Sequence, residues 1–124
     1  MGKAPMLGKK KVYYNNTMKL TYFRVTVHVP VASADKVRDA IGKAGGGTIG
    51  NYGFCSFSTK GVGRFLPLKG AHPAIGEVGK LEEVNEESIE FRCEKSLLKS
   101  VIGAIKKAHP YEEPGIEIIK LEEG

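Results

Sequence analysis

A chain of 124 residues, 41% of them hydrophobic, has enough apolar material for one packed core and not for two independent ones. Its formal charge of +5 invites a nucleic-acid reading, but Lys3, Lys9, Lys10 and Lys11 all precede Met18, with no acidic residue among them. Without these four of the 19 basic residues, 15 face 14 acidic ones, so the remainder is nearly neutral and a nucleic-acid surface on it is not expected.

Residues 1–17 contain Gly, Pro and Asn without apolar periodicity and are predicted to be a disordered basic extension or an upstream segment ahead of a domain that begins at Met18. One domain is expected over 18–124. The extension lacks the apolar stretch of a signal peptide, and its cations are all Lys, unlike an Arg-rich transit peptide. No run approaches the roughly 20 apolar residues of a membrane span. Cys55 and Cys93 stand alone in a chain that can build a core without staples, which favours reduced thiols and a cytoplasmic location.

Phe23, Val25, Val27 and Val29 alternate with Tyr22, Arg24, Thr26 and His28, the period of a half-buried strand, and Pro30 ends it. Ser33 is then predicted to cap a helix with Asp35 in its first turn, and Val37, Ala40, Ile41 and Ala44 form its apolar stripe. Gly45, Gly46 and Gly47 stop it. A strand over 54–59, a turn at Lys60–Gly61 and a strand over 61–68 should follow, then a Gly-rich loop over 69–80. A short extended piece is expected over 81–87.

The first pattern then returns. Ile89, Phe91 and Cys93 alternate, and Leu97, Leu98, Val101, Ile102, Ile105 and Ala108 form a second helical stripe before a strand over 115–121. An offset of 64 residues aligns the halves without a gap and makes Val37/Val101, Ile41/Ile105 and Ala44/Ala108 identical. Two such halves predict an α+β, ferredoxin-like split βαβ sandwich, an antiparallel sheet with both helices on one face. The other face is left open, and Tyr22, Arg24 and His28 on it are expected to meet another copy, giving a homo-oligomer.

Candidate chemistry gathers in three places. His109 to Pro114 closes the second helix with two prolines that fix a rigid bend, and His109, Tyr111, Glu112 and Glu113 could supply a ligand or metal corner; a helix end leading stiffly into the last strand is the competing reading. The 69–80 loop offers His72 and Glu77 beside Gly70, Gly76 and Gly79, without the pattern of a phosphate cradle. Gly45 to Tyr52 follows a helix where a dinucleotide fingerprint would precede one, which leaves Asn51 and Tyr52 as subunit-edge contacts. Cys55 and Cys93, each alternating with a Phe, are expected to face the core. Glu82, Glu83, Glu86 and Glu87 read as a solvated acidic edge.

Gly50-Asn51-Tyr52, Cys55-Ser56-Phe57, the run Gly61 to Leu68, the run Gly76 to Glu82 and His109 to Pro114 closely resemble, in order, the inserted YqfO-type domain of the Nif-three-like family. The resemblance covers residues 19–121. It implies a PII/CutA-like fold, a trimer, and a small-molecule effector, a protein partner or a divalent metal bound at loops between subunits. The host family's dimetal centre is built from flanking segments that this sequence lacks, so the expected function is a stand-alone, non-catalytic ligand-binding or regulatory module. A CutA-like divalent metal-binding protein is the alternative.

Overall fold

The computed structural model describes residues 20–122, so the basic extension expected over 1–17 lies outside the described residues. Six elements follow one another: β1 (Tyr22–Pro30), α1 (Val31–Lys43), β2 (Phe57–Phe65), β3 (Glu82–Glu94), α2 (Lys95–Ala108) and β4 (Gly115–Lys120). The four strands form one sheet in the order β2-β3-β1-β4, every neighbouring pair antiparallel. Each βαβ unit is thus split by the first strand of the other, as the repeated sequence pattern requires.

Register follows from the alternation. Val25 lies opposite Phe91 and Val27 opposite Ile89, so the apolar residues of both central strands emerge on one face. Val37 and Ile41 of α1 and Val101 and Ile105 of α2 close on that face, and all are buried with Val25, Val27, Val29, Ile89, Phe91 and Cys93. Burying side chains of this size contributes about 1.5–3 kcal/mol each, before the entropy of ordering the chain is set against it.

The end of α1 is a Schellman motif. Gly45 takes φ 101°, its N–H donates to Gly42 O at 3.1 Å, and Gly46 N–H reaches back to Ile41 O at 2.9 Å. Gly46 must stay small, because a Cβ there would meet Ile41 and Phe91 side chains at 2.8 and 2.9 Å.

Three local expectations are corrected. Ser33 does not cap α1: the helix begins at Val31, directly after Pro30, with no side-chain cap, and Asp35 binds Arg38 at 2.7 Å instead. Pro30 is still paired with Glu86 in the sheet, so strand passes into helix without the turn that a cap would need. Nor does the chain turn at Lys60–Gly61; β2 runs unbroken, with Lys60 opposite Glu87 and Gly61 opposite Glu86. The pieces expected at 81–87 and 89–93 are one strand of 13 residues, which supplies the continuous ladder that carries β2 past its glycines.

The acidic edge is corrected as well. Glu87 is in phase with Ile89 and is buried on the helix side, where its Oε1 accepts from Arg38 Nη1 at 2.6 Å. Arg38 also donates to Ser58 Oγ at 3.0 Å, so one guanidinium joins α1 to β2 and β3. Glu86 takes the opposite phase and faces the open side.

Cys93 lies in the core as expected, and burial, followed by the Glu94 charge, pushes its thiol above the ordinary range. Cys55 does not join it: it precedes β2 and is half-buried in a loop, while Phe57 is 67% exposed on the helix-free face. A disulfide reagent should therefore modify Cys55 of the native protein, with Cys93 reacting at least about 100-fold more slowly until the core opens. Mass spectrometry of the labelled peptides reads this directly, and equal labelling would contradict the placement of the two thiols.

Candidate ligand-binding site

The last turn of α2 and the prolines after it bring the 109–114 corner to the end of β1. Pro110 holds His109 in an extended conformation, φ −78° and ψ 138°, which ends the helix while His109 N–H still donates to Ile105 O at 2.8 Å. The imidazole folds inward and is buried. Its Nε2 lies 2.7 Å from the carbonyl oxygen of His28, and its Nδ1 accepts the Tyr111 N–H at 3.1 Å. Those two partners fix the ring with its proton on Nε2, and both nitrogens are occupied by main chain. In this geometry His109 is a brace between β1 and the corner; neither nitrogen is free to ligate a metal.

Tyr111 leaves the corner across the helix-free face. Its O–H donates to Glu86 Oε2 at 2.9 Å, and its ring meets Phe65 edge-on with centroids 5.7 Å apart. The Glu86 carboxylate can lie there because residue 63 is glycine: a Cβ at that position would stand 2.2 Å from Glu86 Oε1. Burial first, and then the hydrogen bond to Glu86, push the Tyr111 phenol well above its ordinary value of 10.0. The folded protein therefore keeps a proton that the unfolded chain releases, so stability falls as pH rises past about 10. Tyr111→Phe should flatten that alkaline decline; urea midpoints of the two proteins between about pH 9 and 11 give the comparison, and parallel curves would refute it.

The 66–81 loop folds over the same end. Ala71 N–H donates to Leu68 O and Gly79 N–H to Pro67 O, both at 2.9 Å, and His72 N–H donates to Glu112 Oε2 at 3.0 Å. Loop and corner, forty residues apart, are thereby tied together. Between them lies a groove of about 690 Å³, within the ordinary range for small-molecule sites. The helix-free sheet surface at His28 and Glu86 is its floor, Tyr111 and Glu112 one wall, and Phe65, Leu66, Leu68 and Ile75 the other.

Of the residues singled out in the sequence, Tyr111, Glu112, Glu113 and His28 line this groove, and His72 contributes its main-chain N–H at the edge. Glu77 does not join them; it pairs with Lys80 at 3.6 Å in solvent. Tyr22 and Arg24 sit on the same sheet face toward its other end. Asn51 and Tyr52 lie in the 44–56 loop, which is anchored by Gly47 N–H to Arg92 O, and Ile49 and Tyr52 exchange both backbone hydrogen bonds there. Six residues of β3 separate that anchor from Glu86, about 20 Å of strand, so these positions belong to a different place. Glu86 was read only as part of a solvated acidic edge, and Gly63 and Phe65 were not proposed as site residues. Their signal was the period-2 phase of β2 and β3, hidden by reading each strand as two pieces. Among the described residues, no three His, Cys, Asp or Glu side chains are grouped to hold a metal ion.

The sheet order and the helices on one face define an α+β domain of the CutA kind: the periplasmic divalent cation tolerance protein CutA from Archaeoglobus fulgidus superposes with a TM-score of 0.59 over 83% of this chain and 86% of its own, at 16% identity, a likeness of fold alone. A Bacillus cereus protein related to NIF3 matches with a TM-score of 0.76 and 42% identity over 87% of this chain and 28% of that one. The GTP cyclohydrolase 1 type 2 homolog of Bacillus subtilis is 48% identical over 100 residues, which are 81% of this chain and 27% of that protein. The chain is thus similar to one segment of these longer NIF3-related proteins and spans just over a quarter of their length. No protein-family model matches it. No helix among the described residues is long and apolar enough to cross a membrane.

Proposed function

We propose that this domain is a non-catalytic, homo-oligomeric module that binds a small effector in the groove between the 66–81 loop and the 109–114 corner. The observation that carries the reading is the groove itself, in which two segments distant in sequence meet over the sheet and are held by one hydrogen bond, His72 N–H to Glu112. A ligand spanning the gap would fix the loop to the corner, and loop position is what a partner or a neighbouring subunit would sense. The groove's titratable side chains lack an activated nucleophile paired with a base, and His109 is committed to main-chain hydrogen bonds. The activity implied by the name of the longer relatives is therefore not assigned to this segment.

Assembly is supported by the helix-free face. Arg24 and Arg92 lie directly opposite each other there, offset by the Arg24–Glu90 ion pair at 2.9 Å and by Arg92 stacking 4.5 Å over the Tyr22 ring. Arg92 Nε is buried without a hydrogen-bond partner among the described residues, and Phe57 and Ile119 are 67% and 56% exposed. A second copy packed on this face would cover those apolar groups and offer acceptors to the guanidinium; three copies are the assembly we favour. Light scattering should give three times the chain mass, and a monomer at every concentration would overturn the assembly. A fragment screen followed by backbone amide shifts tests the groove. Hits should cluster at 63–75 and 111–115, and hits confined to the 44–56 loop would refute the site.

A further inference from the structure

Resting on that groove as the binding site, we infer that its ligand is a small ammonium compound with an aromatic or branched aliphatic body, and that the Glu86 carboxylate receives the cationic head.

The charge around the groove is one-sided where it is deepest. Glu86 lies on the floor, and Glu112 and Glu113 stand on the corner wall. Arg64 contributes to the lining, but its side chain alternates to the opposite face of β2, where its Nε is held by Glu83 at 2.9 Å. That leaves Lys69, on the exposed loop at the rim, as the cation beside three carboxylates. A phosphate or carboxylate ligand would have to sit against Glu86 and Glu112 with little to offset them, whereas an ammonium finds acceptors.

Glu86 is also prepared for a donor. Its Oε2 takes the Tyr111 O–H, which fixes the carboxylate's orientation and leaves Oε1 without a hydrogen-bond partner among the described residues. Glycine at 63 lets the carboxylate settle against the β2 backbone, where a side chain would push Oε1 away. Around it the walls are apolar: the Phe65 and Tyr111 rings are set edge to face, and Leu66, Leu68, Pro73 and Ile75 continue from them. One acceptor oxygen at the base of an apolar slot fits a compound that is charged at one end and hydrocarbon at the other. A single ammonium donating to a half-buried carboxylate gains more than a neutral donor would, because a charge-assisted bond in reduced dielectric is the stronger one.

Three probes of one size separate the possibilities: phenethylamine, 2-phenylethanol and 3-phenylpropionate, each titrated at millimolar concentration while amide shifts are followed. The amine should move the amides of 63–75 and 111–115, and the acid should not. Glu86→Gln keeps an oxygen that accepts the Tyr111 O–H, so the wall stays in place, and it should weaken the amine by at least about tenfold. Gly63→Ala displaces the flexible end of Glu86 without changing any charge, and it should weaken the amine likewise. If the alcohol or the acid binds as tightly as the amine, or if Glu86→Gln leaves the amine unaffected, the ligand class is wrong while the groove stands. If none of the probes moves those amides, the groove fails as a site and the ligand class fails with it.

Discussion

Gly47→Ala should destabilise the domain by about 3 kcal/mol, lowering its melting temperature by about 15 °C. Gly47 has φ 80°, where an alanine costs about 1 kcal/mol, and its added Cβ would lie 2.3 Å from the backbone oxygen of Cys55. A backbone carbonyl cannot swing aside as a side-chain tip can. The loop must shift, and in shifting it strains two hydrogen bonds, Gly47 N–H to Arg92 O at 2.8 Å and Cys55 N–H to Gly47 O at 2.9 Å. The first ties the 44–56 loop to β3 and the second closes the loop on itself. Gly53→Ala is the control in the same loop: nothing lies within 4 Å of its Cβ, and its effect should stay within about 0.5 kcal/mol. Equal losses for the two variants in urea unfolding would show that glycine content, and not this contact, matters.

His109→Ala should cost about 2 kcal/mol, because it leaves the part-buried His28 carbonyl without its donor and the Tyr111 N–H without its acceptor. His109→Gln can still reach the His28 carbonyl through its amide and should recover part of that loss. The same geometry makes a second forecast. A metal at His109 would have to displace a main-chain hydrogen bond first, so calorimetric titration with zinc, copper or manganese should give the same isotherm for His109→Ala as for the unaltered protein. A saturable site lost only in the variant would restore His109 as a metal ligand and remove the brace.

The architecture was legible because the burial pattern is local. Val25, Val27 and Val29 alternate, Val37 and Ile41 recur one turn apart, and the same arrangement returns 64 residues later, so strands and helices show themselves without knowledge of their partners. The glycine stop after α1 was legible for the same reason. The cap was not: Ser33 had the right chemistry, but Pro30 is held in the sheet by Glu86, and the chain enters the helix two residues before the serine. Lys60 and Gly61 pointed to a turn because nothing within nine residues of sequence reveals a long partner strand. Once β3 is in place, Gly63 becomes the clearance that Glu86 needs.

The amino-acid order by itself determined the two βα repeats, the core they share, the family resemblance and the rigid bend at His109 to Pro114. Only the tertiary structure decided what those parts do to one another. It sent Glu87 inward to Arg38 and Glu86 outward to Tyr111, turned His109 from a candidate ligand into a brace, and closed His72 onto Glu112 to make a groove. The reason is physical: hydrophobic periodicity is written into neighbouring residues, whereas the partners of a charged or hydrogen-bonding side chain are set by which strands lie side by side, and strand neighbours here are dozens of residues apart.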